Sequence, residues 1–158
     1  METENYLQIM TDSLIKKRDI LKAVVELNIT QEHLLNATEF DGDSFQKNME
    51  EKSKCIDELN SLDEGFQIIY DRIRQDVEEY KANYKTEIIR LQELIKEVSG
   101  LSATIQSQET RNKVRAENKF RQLRQDNKTA KRSVSMVNKY YKNMSRVSQE
   151  PQFMDKKK

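Results

Sequence analysis

Non-polar residues recur along this chain at alternating steps of three and four, the spacing that lines side chains along one face of an α-helix. Leu7, Met10, Leu14, Leu21, Val24, Asn28 and Leu35 mark the first such seam, broken at Lys17 and widened by Tyr6, Ile20 and Val25. It predicts a helix from about Thr3 to Ala37, roughly 35 residues and about 50 Å long at 1.5 Å per residue. Asp41-Gly42-Asp43 then supplies a turn. Asp43 with Gln46 three residues on is a capping-box arrangement, so a second helix is expected from Ser44. That helix carries Phe45, Met49, Ile56, Leu59, Phe66, Tyr70, Ile73, Val77 and Tyr80 in one register, with Lys52 and Asp63 as misfits. The seam keeps phase across Gly65, which predicts a continuous or merely kinked helix at a cost of about 1 kcal/mol.

The polar window from Glu78 to Glu87 holds the next reversal, expected near Lys81 to Tyr84. The remainder, Tyr84 to Met144, carries two apolar stripes in succession. Leu91, Leu94, Val98, Leu101 and Ile105 form the first. Ala116, Phe120, Leu123, Asn127, Ala130, Val134, Val137, Tyr141 and Met144 form the second. Between them Gln106 to Lys113 is a polar run with nothing to bury, through which helix can continue with its seam slightly rotated. A third helix antiparallel to the second is shielded by it only to about Phe120, so Leu123 to Met144 is expected to overhang. An apolar stripe without an intrachain neighbour is normally satisfied by another molecule. The alternative is a fourth helix folded back through the Gln106 to Lys113 window. Pro151 ends any helix, and residues 148–158 read as a flexible tail, with Phe153-Met154 as a short apolar anchor at most.

Composition sharpens this picture. The chain has 158 residues, 35% hydrophobic and 35% charged, with 3 Gly and 1 Pro. Narrow helical seams suit such a composition better than a thick core or tight hairpins. Charge is lopsided: residues 1–110 hold 13 Lys/Arg against 23 Asp/Glu, net −10, while residues 111–158 hold 15 against 4, net +11. Such a chain offers two faces to partners, or lays a basic helix near its own acidic part.

Most chemistry is easier to exclude than to find. One cysteine, Cys55, allows no intrachain disulfide and fits a reducing cytosol. No apolar run approaches the ~20 residues that cross a bilayer, and the acidic start Met1-Glu2-Thr3-Glu4 lacks a signal-peptide pattern. His33 is the single histidine, so no His-based metal site is expected. Scattered glycines make no phosphate-cradling loop, and the paired carboxylates Glu50-Glu51, Asp63-Glu64 and Glu78-Glu79 read as solvated faces. A non-enzyme without cofactors is expected. Arg111, Lys113, Arg115, Lys119, Arg121, Arg124, Lys128, Lys131 and Arg132 raise the question of nucleic acid. They are spread around the helix and accompany no sequence-reading motif, so neither nucleic acid nor membrane insertion is expected.

Met49-Glu50-Glu51-Lys52-Ser53 leading into Cys55-Ile56-Asp57-Glu58-Leu59, after a long helix and a polar turn, resembles the flagellar export chaperones of the FlgN family. The passage Leu101-Ser102-Ala103-Thr104-Ile105-Gln106-Ser107-Gln108-Glu109-Thr110-Arg111-Asn112 is similar to the stretch where that family's leucine-rich helix becomes Gln/Asn-rich. Ser61 to Phe66 and Phe153-Met154-Asp155-Lys156-Lys157 look like the clostridial-type versions. The resemblance implies a cytoplasmic chaperone for flagellar type III export. Such a chaperone binds the C-terminal helical segment of the hook-associated junction proteins, keeps them from assembling and delivers them to the export gate.

The reading is therefore an all-α protein, a long antiparallel hairpin or three-helix bundle with an extended C-terminal helix. Residues 1–110 form the acidic bundle, with helices near 3–37, 44–80 and 84–110, and residues 111–147 a basic amphipathic extension. Partner-binding residues are expected at Phe120, Leu123, Val134, Val137, Tyr140, Tyr141 and Met144, with Tyr140 and Tyr141 the candidates for docking at the gate. Other readings are a structural coiled coil pairing its second stripe with its own copy in a homodimer, and a filament-cap-type export chaperone.

Overall fold

The computed structural model describes residues 2–123, 127–147, 151, 153 and 154, with side chains in the fourth helix from 131 onward. Four α-helices carry the fold: α1 (Glu2–Asn36), α2 (Gly42–Glu79), α3 (Lys85–Gln122) and α4 (Asn127–Met144). A single 3-10 turn, Lys81–Tyr84, reverses the chain between α2 and α3, where the polar window predicts it. The protein is an all-α bundle. Gly65 lies within α2 and the helix runs through it.

Asp41 caps α2, two residues before the expected Asp43. Its Oδ1 accepts from the Ser44 backbone N–H at 3.1 Å and its Oδ2 from the Ser44 hydroxyl at 2.6 Å. This places Asp43 in the first turn, where a carboxylate meets the positive end of the helix dipole. α1 and α2 form an antiparallel hairpin. α3 lies parallel to α1 at an offset of about 80 residues, recorded by Asn28 Nδ2 donating to Gln108 Oε1 at 3.1 Å and Lys119 Nζ to the Ala37 carbonyl at 3.0 Å.

Two apolar clusters fill the bundle. One gathers Leu7, Met10 and Leu14 with Phe66, Ile73 and Val77 of α2 and Ile88, Leu91 and Leu94 of α3. The other gathers Leu21, Val24 and Leu35 with Phe45, Met49, Ile56, Leu59, Ile105 and Phe120, and takes in Val137 and Tyr140 of α4. Lys17 and Asp63, misfits of the two seams, sit between the clusters and face each other: Lys17 Nζ stands 2.6 Å from Asp63 Oδ1.

The expected overhang is absent. α3 does not stop at residue 110 but runs to Gln122, and Leu123 caps it by donating its N–H to the Lys119 carbonyl at 3.1 Å. The chain then folds back, and α4 packs along α2. The break comes after Phe120, not in the Gln106 to Lys113 window. Phe120 closes the end of the bundle in an aromatic group with Phe40 and Phe45, at ring separations of 6.1 and 5.5 Å. Past it α3 has nothing to lie on. A straight helix would hold Val137 and Tyr140 in water, and folding back buries them, each side chain gaining roughly 1.5–3 kcal/mol.

Residues 111–147 are thus no extension from a separate 1–110 unit. Asn112, Ala116 and Phe120 are buried core of α3, and the second stripe is engaged within the chain. Beyond α4, Pro151 is buried, and Phe153 stacks on Tyr70 at 5.2 Å, so the Phe153-Met154 pair is an anchor on the first cluster. The rest of the expected tail, 148–150, 152 and 155–158, lies outside the described residues. So do Arg124 and the side chains of Asn127, Lys128 and Ala130.

Candidate functional site

The helices are arranged α3–α1–α2–α4, and a cleft between α3 and α4 is bridged midway, where the Tyr140 and Tyr141 hydroxyls reach Glu109. Two cavities mark it. Toward the end of α4, a cavity of about 290 Å³ has Leu21, Val24, Ile56, Leu59 and Ile105 as its apolar lining and Tyr141, Met144 and Val147 on its α4 side. Toward the beginning of α4, a second cavity of about 380 Å³ lies between Ala116, Phe120 and Arg121 of α3 and Val134, Val137 and Asn138 of α4. Lys113 belongs to the walls of both, with its ammonium 5.4 Å from the centroid of the Tyr141 ring.

Helical spacing explains why these residues share one side of each helix. Ser102, Ile105, Glu109, Lys113, Ala116 and Phe120 recur at steps of three and four along α3, as Val134, Val137, Tyr141 and Met144 do along α4. Of the seven expected partner residues, Phe120, Val134, Val137, Tyr141 and Met144 line the two cavities. Leu123 is half-buried at the end of α3. Val134 is 40% exposed and is the apolar residue most open on the α4 wall, while Phe120 and Val137 are nearly covered by the chain itself.

Tyr140 departs from the expectation. It is 1% exposed and points into the core, so the buried face of α4 runs through Ser133, Val137 and Tyr140 and is rotated from the expected stripe of Val134, Val137 and Tyr141. The cause is a buried polar cluster that spacing of apolar residues does not reveal. Lys52 Nζ donates to Glu109 Oε1 at 2.8 Å and to Gln31 Oε1 at 3.1 Å, and lies 4.3 Å from the centroid of the Tyr140 ring. The Tyr140 hydroxyl donates to Glu109 Oε2, and the Tyr141 hydroxyl to the Glu109 carbonyl at 3.2 Å. Gln31 Nε2 continues to Asn48 Oδ1 at 3.1 Å, and Asn48 Nδ2 to the Leu27 carbonyl at 2.9 Å. All four helices contribute, and every charged member has an opposite charge or a donor against it.

Burial pushes the Lys52 ammonium below the usual lysine range, and the neighbouring Glu109 carboxylate offsets part of that shift. Burial, followed by the charge of Glu109, pushes both Tyr140 and Tyr141 above the usual phenol range. The Cys55 thiol is likewise raised, by burial and then by Glu58 and Glu51, which suits a packing residue better than a reactive one. The Gln106 to Lys113 window, expected to bury nothing, holds Glu109 and Asn112, two of the most buried polar residues of the molecule. The misfit Lys52 was the available signal. A lysine in the middle of a core seam calls for a carboxylate elsewhere in the chain.

A groove lined by apolar side chains with cations at its rim can hold an amphipathic helix or a similar elongated apolar segment. Among the described residues no group of three or more His, Cys, Asp or Glu is placed to hold a metal ion, and no helix is long and apolar enough to cross a membrane. Comparison with protein-family models, with curated proteins and with solved structures returned no match to this chain.

Proposed function

We propose that the protein is a non-enzymatic export chaperone that holds an amphipathic helix of its cargo in the groove between α3 and α4. The cargo, by resemblance to the FlgN family, is the C-terminal helical segment of a hook-associated junction protein. It is held unassembled in the cytoplasm and passed to the type III export gate. The observation that supports this reading is the pair of cavities between α3 and α4, lined by Phe120, Val134 and Val137 in one and by Tyr141 and Met144 in the other. α3 is built into the bundle along α1, whereas the 18-residue α4 rests on α2 and is tied to α3 through Tyr140 and Tyr141 on Glu109.

Calorimetric titration of the full chain with C-terminal segments of the junction and filament-cap proteins of its own organism tests the proposal. A junction segment should bind at micromolar concentrations and its binding should be lost in Val134→Asp, whose side chain is exposed and so leaves the fold intact. Binding of the filament-cap segment alone would reassign the cargo. Absence of binding by both at tens of micromolar would end the chaperone reading.

A further inference from the structure

Four cations stand on the two walls of the cleft between α3 and α4. Lys113 lies at its centre and Arg121 at one end, both on α3. On α4, Lys142 comes four positions after Asn138 and three before Ser145, both of which line the cavities, and Lys131 comes three before Val134. Those spacings put both lysines on the groove side of the helix, at its rim, and both are exposed. Glu117 is the one acid lining the second cavity.

None of these four cations makes an ion pair with a carboxylate among the described residues. On the other side of α3, Arg115 meets Glu32 of α1 at 3.2 Å. Around the two cavities the carboxylates are Glu109, which Lys52 holds at 2.8 Å, and Glu117, so the four rim cations outnumber them.

We infer that the occupant of the groove is an amphipathic helix with acidic residues flanking its apolar stripe. The inference rests on the proposed function and specifies the partner's chemistry. Together the two cavities span Ser102 to Arg121 of α3, about 30 Å at 1.5 Å per residue, the length of about 20 residues of helix. The cavities sit around Ile105–Glu109 and Ala116–Phe120, so two large apolar anchors of the partner fall about 11 residues, or three turns, apart. Glutamates on either side of that stripe meet Lys113 and Arg121 on one wall and Lys131 and Lys142 on the other. A basic helix with the same apolar stripe meets four like charges. A second copy of this chain is a poorer occupant, since the acidic helices that would enter already bury their own seams in the bundle.

Fluorescence anisotropy with three labelled 20-residue peptides tests this on the full chain. All share leucine or phenylalanine anchors 11 residues apart and differ only in flanks of Glu, Gln or Lys. The Glu-flanked peptide should bind about tenfold tighter than the Gln-flanked one and the Lys-flanked peptide more weakly still, with the differences shrinking between 50 and 200 mM salt. In the variant Lys113→Glu/Lys142→Glu, both exposed positions, the order of the Glu and Lys peptides should reverse while circular dichroism stays unchanged. Equal binding of the three peptides, or no reversal in the variant, overturns the charge inference and leaves the chaperone reading standing if a natural junction segment still binds. Failure of the natural segment as well removes both. Light scattering at the same concentrations should show a monomer, and a dimer dissociated by the Glu peptide would make a second copy the occupant instead.

Discussion

Lys52 and Glu109 are 57 positions apart in the chain and 2.8 Å apart in the fold, and both are shut away from water. Their bond ties α2 to α3 at the level where α4 lays Tyr140 over both. Burying the two charges is costly, and the pair is tolerable because Gln31, Tyr140 and Tyr141 satisfy the oxygens and protons it leaves over.

Removing one partner should therefore cost far more than removing the group. Lys52→Ala strands the Glu109 carboxylate and should lower the free energy of unfolding by about 3–5 kcal/mol. The combined change Lys52→Met, Glu109→Leu, Tyr140→Phe replaces the cluster by apolar side chains of similar size and should recover most of that loss. Urea denaturation measures both, and a cost below about 1 kcal/mol for Lys52→Ala would show that water reaches the pair.

Tyr140 makes the protein sensitive to alkali. Its phenol is held above the usual value near 10 by burial and by the charge of Glu109. The folded state thus keeps a proton that the unfolded state releases, and the stability this contributes is complete below about pH 10 and is lost as pH rises above it. Lys52 acts in the opposite sense, since its lowered value makes stability rise with pH up to the lysine range. Comparing wild type with Tyr140→Phe isolates the tyrosine. The variant should be less stable by about 1–3 kcal/mol between pH 7 and 9, with a gap that narrows above pH 10. A gap independent of pH would mean that the folded state does not hold the phenol above its ordinary value.

A third expectation concerns α4. Eighteen residues long and supported along α2, it should open before the three long helices do. Amide exchange should show lower protection across 131–144 than across Leu91–Val98. Val137→Asp, which places a carboxylate in the second cluster, should lower protection of α4 by a further order of magnitude or more and leave the first cluster unchanged. Loss of protection in every helix would show that α4 is inseparable from the folding of the bundle.

The long helices were legible because each buries a continuous stripe of its own. Leu7 to Leu35, Phe45 to Tyr80 and Leu91 to Ile105 carry periods strong enough to place α1, α2 and the first half of α3 within a few residues, although Tyr80 itself is exposed, and the polar stretch around Lys81 marked the turn. The capping pattern pointed to Asp43, whereas Asp41, a residue of the same type, is the cap. The difference lies in which one has Ser44 three positions on, a hydroxyl and a backbone N–H together.

What the linear pattern determined by itself is the all-helical character and the lengths of the hairpin helices; that α3 lies along α1 rather than against α2 it did not. Character and lengths depend on contacts along one face of one helix, and that face is written in steps of three and four. What only the tertiary structure decided is where the second stripe goes, and which residues of α4 turn inward. That choice depends on Lys52, Glu109 and Tyr140, polar groups on three different helices whose burial is favourable only when all three meet. No period along the chain records such a meeting, so Lys52 stood out in its seam as a defect until the fold brought Glu109 beside it.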